Sequence, residues 1–248
     1  MQHTAGDAEP DVTIVIPVYN EEGILSAALA DLFDRLDRSP RLGGLRFEVL
    51  LSANGCVDRT VEIAREWGER RPELRLIEGP EPNYGRALRA GIEQARGRYV
   101  ICEEIDLCDV DFHERALHRL REERYDMVIG SKRLERSLDR RPAYRRAATR
   151  AVNTLLWVAT GYRGTDTHGL KAFVRERVLP VVSTCRVDRD MFASELVIRA
   201  QRSGLRVVEI PVEVIEKRAP SVHLFRRVPR VLRQLGTLAW SIRVGERS

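Results

Sequence analysis

Val12-Thr13-Ile14-Val15-Ile16-Pro17-Val18-Tyr19-Asn20-Glu21-Glu22 decides the fold. A β-branched run, residues 12–16, stops at Pro17 and gives way to an aromatic ring, an amide and two carboxylates. An apolar run bounded in this way suits a strand buried on both faces, as in a parallel sheet. The polar tail then falls at the carboxyl end of the strand, where open α/β sheets bind ligands. Tyr19 offers a ring to pack a base, and Glu21 a carboxylate to accept ribose hydroxyls. The same residues also read as a buried strand with a capped helix behind it, and the rest of the chain has to separate the two.

Working outward, strand and helix patterns alternate. A helical pattern over residues 23–36 follows the first strand, with Ile24, Leu25, Ala28, Leu32 and Leu36 on one side. Residues 46–52, 74–78 and 99–103 read as further strands, and 58–67 and 85–95 as helices between them. Repeated βα units call for a mainly parallel central sheet with helices on both faces and right-handed connections. Beyond Phe112 come a helix, a strand at 126–131, an arginine-rich stretch over 132–150, a helix at 192–203 and a strand at 206–210. The expected layout is a loose arm (1–10), one α/β domain (11–220) and a basic amphipathic helix (221–248).

Composition narrows the class. The 248 residues are 43% hydrophobic and 32% charged, enough for a sizeable core, with a net charge of +5. Cys56, Cys102, Cys108 and Cys185 form no Cys-x-x-Cys pair, and together with the absence of a signal-like N-terminus they read as reduced thiols of a cytoplasmic protein. No apolar run reaches the roughly 18–20 residues needed to span a bilayer.

Three more constellations follow strand ends. Ser52-Ala53-Asn54-Gly55-Cys56-Val57-Asp58-Arg59-Thr60 makes a tight turn at Asn54-Gly55, and Asp58 caps the next helix. The turn sets Asn54 beside the Tyr19–Glu21 corner. Asn83-Tyr84-Gly85-Arg86 combines small residues that let a helix start near a bound phosphate with a guanidinium that adds charge. Glu103, Glu104, Asp106, Asp109 and Asp111 crowd one strand end. Five carboxylates cannot all be buried unpaired, so they are solvated, paired with arginine or bound to a cation. Glu104 and Asp106 are two apart and share one face of an extended segment, a pair that suits Mg2+ or Mn2+ on a diphosphate.

In this order the motifs resemble the family 2 glycosyltransferases of GT-A-type, Rossmann-like fold, most closely the dolichyl- or polyprenyl-phosphate mannose synthase-like branch. The resemblance covers roughly residues 12–218 and includes Asp166-Thr167-His168-Gly169-Leu170-Lys171, Phe192-Ala193-Ser194-Glu195-Leu196 and Glu209-Ile210-Pro211-Val212. It implies a metal-dependent, inverting transfer of a sugar from a nucleoside diphosphate sugar (GDP-mannose or a UDP-hexose) to a polyprenyl phosphate or other lipid. Pro17, Tyr19 and Glu21 would hold base and ribose, Asn54 would stand for a base-reading aspartate, and Asp58 would support that turn. Asn83 and Arg86 would lie by the phosphates. Glu104 and Asp106 would hold the cation, and Lys171, Lys217 and Arg218 would face phosphates of donor or acceptor.

The chain departs from the family pattern at three places. Glu104 replaces the first aspartate of Asp-x-Asp, Asn54 replaces an acid, and His168 stands where the lipid-phosphate branch has serine. A histidine there is able to join Glu104 and Asp106 as a metal ligand. A phosphate acceptor is already a nucleophile, whereas a hydroxyl acceptor needs a base; Asp166 and Asp190 are candidates for that role or for holding the acceptor, and with the cation ligand Asp106 they make up the catalytic candidates.

The stretch 225–244 interleaves Phe225, Val228, Leu232, Leu235 and Trp240 with arginines. That pattern suits a helix lying in an anionic membrane interface, at the inner face of a membrane. It suits equally a helix packed on the domain or on a second subunit, and the oligomeric state stays open. A degenerate nucleotide-sugar-binding scaffold and a transferase to a soluble hydroxyl acceptor remain as alternatives. Nucleic acid fits poorly, since the acidic strand end would repel phosphate and aromatic residues are only 6%. A dinucleotide-dependent dehydrogenase fits poorly too, since no Gly-x-Gly-x-x-Gly follows a strand.

Overall fold

The computed structural model describes residues 9–132, 134, 150–151, 154–155, 157–158, 160–162, 164–189, 191–213, 236–238, 240 and 242. Asp190, Lys217, Arg218, residues 1–8 of the arm, most of the basic stretch 132–150 and most of the tail lie outside them.

Seven strands form one sheet: β1 (Val12–Val18), β2 (Phe47–Asn54), β3 (Leu74–Gly79), β4 (Tyr99–Cys102), β5 (Met127–Ser131), β6 (Lys171–Val174) and β7 (Val207–Pro211). Their spatial order is β3-β2-β1-β4-β6-β5-β7. β6 runs antiparallel to both β4 and β5, and every other pairing is parallel. The helices whose bounds the described residues fix are α1 (Leu25–Arg38), α2 (Thr60–Arg70), α3 (Tyr84–Gln94), α4 (Val110–Arg121), α5 (Arg175–Thr184) and α6 (Phe192–Arg202).

The period-2 alternation of the strands feeds two cores. Ile14, Ile16, Val49, Leu51, Ile101, Val128 and Ala172 face one cluster, which includes Leu29 and Leu32 of α1, Ala64 of α2 and Leu117 of α4. Val15, Leu50, Val100, Ile129 and Phe173 face the other, with Leu88 of α3, Val182 of α5 and Leu196 of α6. All seven residues of β1 are buried, as a strand covered on both faces requires. Each fully buried Val or Ile there contributes roughly 1.5–3 kcal/mol.

β6 and α5 are absent from the sequence reading. β6 has only four residues, and Pro180 lies inside α5, where a proline removes a backbone hydrogen bond and argues against a helix. In the tail, Leu238 and Ile242 join the second core while Trp240 is 62% exposed. These two apolar positions therefore pack on the domain. No helix among the described residues is long and apolar enough to cross a membrane. All four cysteines are free thiols.

Candidate active site

The strand order reverses at β1: the chain steps outward to β2 and β3, then returns to place β4 on the other side of β1. Ligands of open α/β sheets bind at such a switch point, beyond the carboxyl ends of the strands. A cleft of about 380 Å³ opens there, lined by Pro17, Val18, Tyr19 and Glu21 after β1, Asn54 of β2, Pro82, Asn83 and Tyr84 at the start of α3, and Glu104, Ile105 and Asp106 after β4.

The first wall is a clasp between two loops. Asp58 Oδ1 accepts the Thr60 amide at 3.0 Å and its hydroxyl at 2.6 Å, while Oδ2 accepts the Glu22 amide at 3.2 Å. Burial pushes the Asp58 carboxyl up, but these hydrogen bonds outweigh it and hold the carboxyl below its ordinary value. Asp58 thus bonds the first amide of α2 and also ties that helix to the Tyr19–Glu22 loop. The clasp is closed by the Thr60 hydroxyl, which accepts the Glu21 amide at 2.7 Å, and by Asn20 Oδ1, which accepts the Val57 amide at 2.9 Å. Tyr19 stays 44% exposed at the mouth.

Asn54 is the keystone between three elements. Its Nδ2 donates to the Val18 carbonyl at 2.7 Å and its Oδ1 accepts the Asn83 amide at 2.8 Å. Asn83 in turn caps α3 by accepting the Arg86 amide at 3.1 Å. Asn54 is buried, so its side chain is committed to the frame of the cleft. Gly85 behaves differently from the sequence reading: the close approach at this helix start is made by the chain itself. A Cβ on Gly85 would fall 2.3 Å from the Arg189 carbonyl oxygen and 2.6 Å from that of Asp188. Arg86 does not line the cleft; its exposed guanidinium lies 3.7 Å from Asp188 and 3.8 Å from Glu81.

The acidic run divides into structural and cleft-facing members. Glu103 is buried against His113, with both side chains fully inaccessible, and it also accepts the Asp109 amide. Asp109 caps α4 by accepting the Phe112 amide at 3.1 Å. Asp111 pairs with Arg115 at 2.7 Å. Glu104 and Asp106 line the cleft, with Ile105 buried between them. They converge through a turn, in which the Leu107 amide donates to the Glu104 carbonyl at 2.9 Å, and not along an extended strand. Burial pushes the Glu104 carboxyl above its ordinary value, and Asp106 and Asp166 add to that, against the opposing pull of Lys132 and Lys171.

A second, small cavity adjoins the first and shares Tyr84 and Glu104 with it; Lys132, His168, Gly169, Leu170 and Lys171 line its far side. Asp166 Oδ1 accepts the amides of His168 at 2.9 Å and Gly169 at 3.1 Å, which shapes this segment. Lys171 is only 2% exposed and donates from Nζ to the Gly169 carbonyl at 2.6 Å. Burial pulls its pKa down, against the opposing effects of Cys102, Asp166 and Glu104. The exposed His168 has its Nδ1 3.1 Å from the Thr167 hydroxyl and 3.5 Å from that of Ser194. Among the described residues, no three His, Cys, Asp or Glu side chains converge as a ready-made metal cage. The donor set nevertheless fits Mg2+ or Mn2+: such ions take one or two carboxylates and complete their shell with phosphate oxygens and water.

Sequence reasoning missed Tyr84 and Lys132 as lining residues. Tyr84 was legible, since it sits beside Asn83 at the helix start. Lys132 was not, because β6 and the segment before it carry His168 and Lys171 to the side of β4 from far along the chain.

This doubly wound sheet, with its carboxylate pair at the switch point, is a GT-A-type, Rossmann-like architecture. Glucosyl-3-phosphoglycerate synthase from Mycobacterium tuberculosis, in complex with Mn2+, uridine diphosphate and phosphoglyceric acid, shares the fold at a TM-score of 0.64 over 95% of this chain and 80% of that one, with 19% identity. The model of glycosyl transferase family 2 matches residues 13–181, and the chain belongs to that family. It is 29% identical over 241 residues to glycosyltransferase AglD of Haloferax volcanii, which covers 96% of this chain and 38% of AglD. It is also 31% identical over 209 residues to the undecaprenyl-phosphate 4-deoxy-4-formamido-L-arabinose transferase of Edwardsiella ictaluri, covering 83% of this chain and 60% of that protein. The chain thus spans less than two thirds of the length of these two relatives.

Proposed function

We propose that the chain is a cation-dependent, inverting hexosyltransferase that moves a sugar from a nucleoside diphosphate sugar to the phosphate of a polyprenyl phosphate. The observation that carries this reading is the division of the acidic run. Glu103, Asp109 and Asp111 are engaged in structure, while Glu104 and Asp106 line the switch-point cleft opposite Tyr19 and Glu21. The acceptor is supported by the Edwardsiella ictaluri relative, whose name specifies undecaprenyl phosphate.

In this reading Pro17 and Tyr19 pack the base and Glu21 accepts ribose hydroxyls. Asn54 and Asp58 keep that wall in place. Glu104 and Asp106 would hold Mg2+ or Mn2+, and the ion would supply positive charge against the departing diphosphate. Lys171, buried on the far side of Glu104, holds the Gly169 carbonyl and so shapes the wall where the acceptor phosphate arrives. That phosphate attacks without a general base, so Asp166 is free to act as the organiser of the His168–Lys171 segment.

Thermal denaturation with UDP, GDP and their sugar conjugates, with and without Mn2+ or Mg2+, tests the donor site. A ligand at about 100 times its Kd stabilises by about 2.7 kcal/mol. At about 2–4 °C per kcal/mol for a chain of this size, the shift is about 5–10 °C. One base is expected to give a cation-dependent shift that Glu104→Ala and Asp106→Ala abolish. No shift with any nucleotide would refute the reading.

A further inference from the structure

Glu209, on the edge strand β7, stands apart from the cleft and has been given no role above. It lies opposite Ile129 of β5 in the sheet register. Its carboxylate gathers four donors from one short stretch of chain. Oε1 accepts the Thr165 amide at 2.7 Å, the Tyr162 hydroxyl at 3.2 Å and the Asp166 amide at 3.3 Å, and Oε2 accepts the Thr165 hydroxyl. A carboxylate offers about four acceptor positions, so Glu209 has little capacity left for a substrate. Gly164 passes so close that a Cβ there would fall 2.0 Å from the Tyr162 hydroxyl oxygen and 2.5 Å from Glu209 Oε1.

The segment so anchored leads straight into the site. The Tyr162 hydroxyl also donates to the Asp166 carbonyl at 2.9 Å, and Asp166 Oδ1 then takes the His168 and Gly169 amides. Gly169 is wedged on β5, where an added Cβ would lie 1.8 Å from the Gly130 carbonyl oxygen. The Gly169 carbonyl receives Lys171 Nζ, and His168 and Lys171 line the small cavity beside Glu104. A chain of registration therefore runs from Glu209 through Thr165 and Asp166 to His168 and Lys171.

We infer that Glu209 is a positioning residue that sets the acceptor side of the site by anchoring Thr165 and Asp166. The inference rests on the transferase reading and adds a residue that acts through the Asp166–Lys171 segment. It also separates two functions in space. The nucleotide wall is held by Asn54 and Asp58, and the acceptor wall by Glu209, so the two are separable by mutation.

The test compares Glu209→Ala, Glu209→Gln and a control, Thr13→Val. The control disrupts a buried bond of 2.6 Å between the Thr13 hydroxyl and Glu48 at the opposite end of β1. Hydrogen exchange is followed for peptides covering residues 162–171, nucleotide affinity is measured with UDP or GDP and Mn2+, and transfer is assayed with a polyprenyl phosphate in detergent. Glu209→Ala is expected to raise exchange in that segment and lower kcat/KM for the acceptor about ten-fold or more, as misplaced groups do. Nucleotide affinity should stay within about two-fold, which marks a loss confined to the acceptor side. Glu209→Gln keeps an acceptor oxygen and should recover most of the rate, and Thr13→Val should lose melting temperature but not transfer. Unchanged exchange in residues 162–171, or nucleotide affinity falling in step with kcat/KM, would overturn the inference. The same holds if Thr13→Val shows an equal loss of transfer at equal loss of melting temperature. If the unaltered protein bound no nucleotide, the transferase reading itself would fail; unchanged exchange in a protein that does bind nucleotide would remove only the assignment of Glu209.

Discussion

Replacing Glu103 with alanine removes the support beneath the Glu104–Asp106 turn without removing a residue that lines the main cleft. Two groups lose their acceptor: the fully buried His113 Nε2 and the partly buried Asp109 amide. His113 Nδ1 already has no hydrogen-bond partner among the described residues, so the ring has nothing to fall back on. An orphaned buried polar group costs about 1–3 kcal/mol, which gives roughly 2–6 kcal/mol for the pair, with the Asp109 amide near the lower end. At about 2–4 °C per kcal/mol the melting temperature should fall by about 10 °C, and by no less than about 4 °C. Since Asp109 anchors the far end of the Glu104–Asp106 turn, the cation-dependent part of the nucleotide shift should shrink as well. Glu103→Gln keeps an oxygen for the Asp109 amide and an amide facing His113, so it should recover most of both effects. Thermal melts of the three proteins, each with and without nucleotide and Mn2+, read this directly. A Glu103→Ala protein that melts within about 2 °C of the unaltered one would refute the reasoning, because buried hydrogen-bond partners cannot be removed so cheaply.

Glu104 leads to a prediction of opposite sign. Its pKa is raised in the folded state above the ordinary 4.5, so its stabilising contribution is present below that value and lost as pH rises through the folded value. At neutral pH without cation, Glu104→Gln should therefore melt higher than the unaltered protein and yet fail to respond to nucleotide with Mn2+; an unchanged or lower melting temperature would contradict this. Asn54→Asp places a carboxylate oxygen where an amide now donates to the Val18 carbonyl at 2.7 Å, and should cost about 1–3 kcal/mol, measurable by chemical denaturation. Gly85→Ala drives a Cβ into two backbone carbonyls and should cost about 1–3 kcal/mol or more, since neither oxygen can move as a side chain would; denaturation at wild-type denaturant concentration would count against that packing.

The frame of the molecule was legible because it is local. The β-branched run before Pro17 and the polar corner after it are contiguous, and so are the turn at Asn54-Gly55 and the acidic strand end. Parallel strands then bring such contiguous corners to one edge of the sheet. What could not be read depends on partners remote in sequence or on strained packing. Nothing local distinguishes Glu103 from Glu104, and the distinction comes from His113 on the next helix. Asn54 reads as a base contact until the Val18 carbonyl and the Asn83 amide are placed on its two ends. β6 is too short to show a period, and its antiparallel insertion between β4 and β5 comes from tertiary pairing. Gly85 looks like a phosphate-approach glycine until residues 188 and 189 are folded against it.

The most direct test of the central claim follows the sugar itself. The protein is incubated with sugar-labelled UDP-glucose or GDP-mannose, Mn2+ and a polyprenyl phosphate in detergent, and label is counted in the lipid extract. The account predicts lipid-linked label from one of the two donors, abolished by a chelator and reduced about 100-fold or more in Asp106→Ala, as for loss of a group that stabilises developing charge. Label that reaches the lipid equally well in Asp106→Ala, or none from either donor, would contradict it.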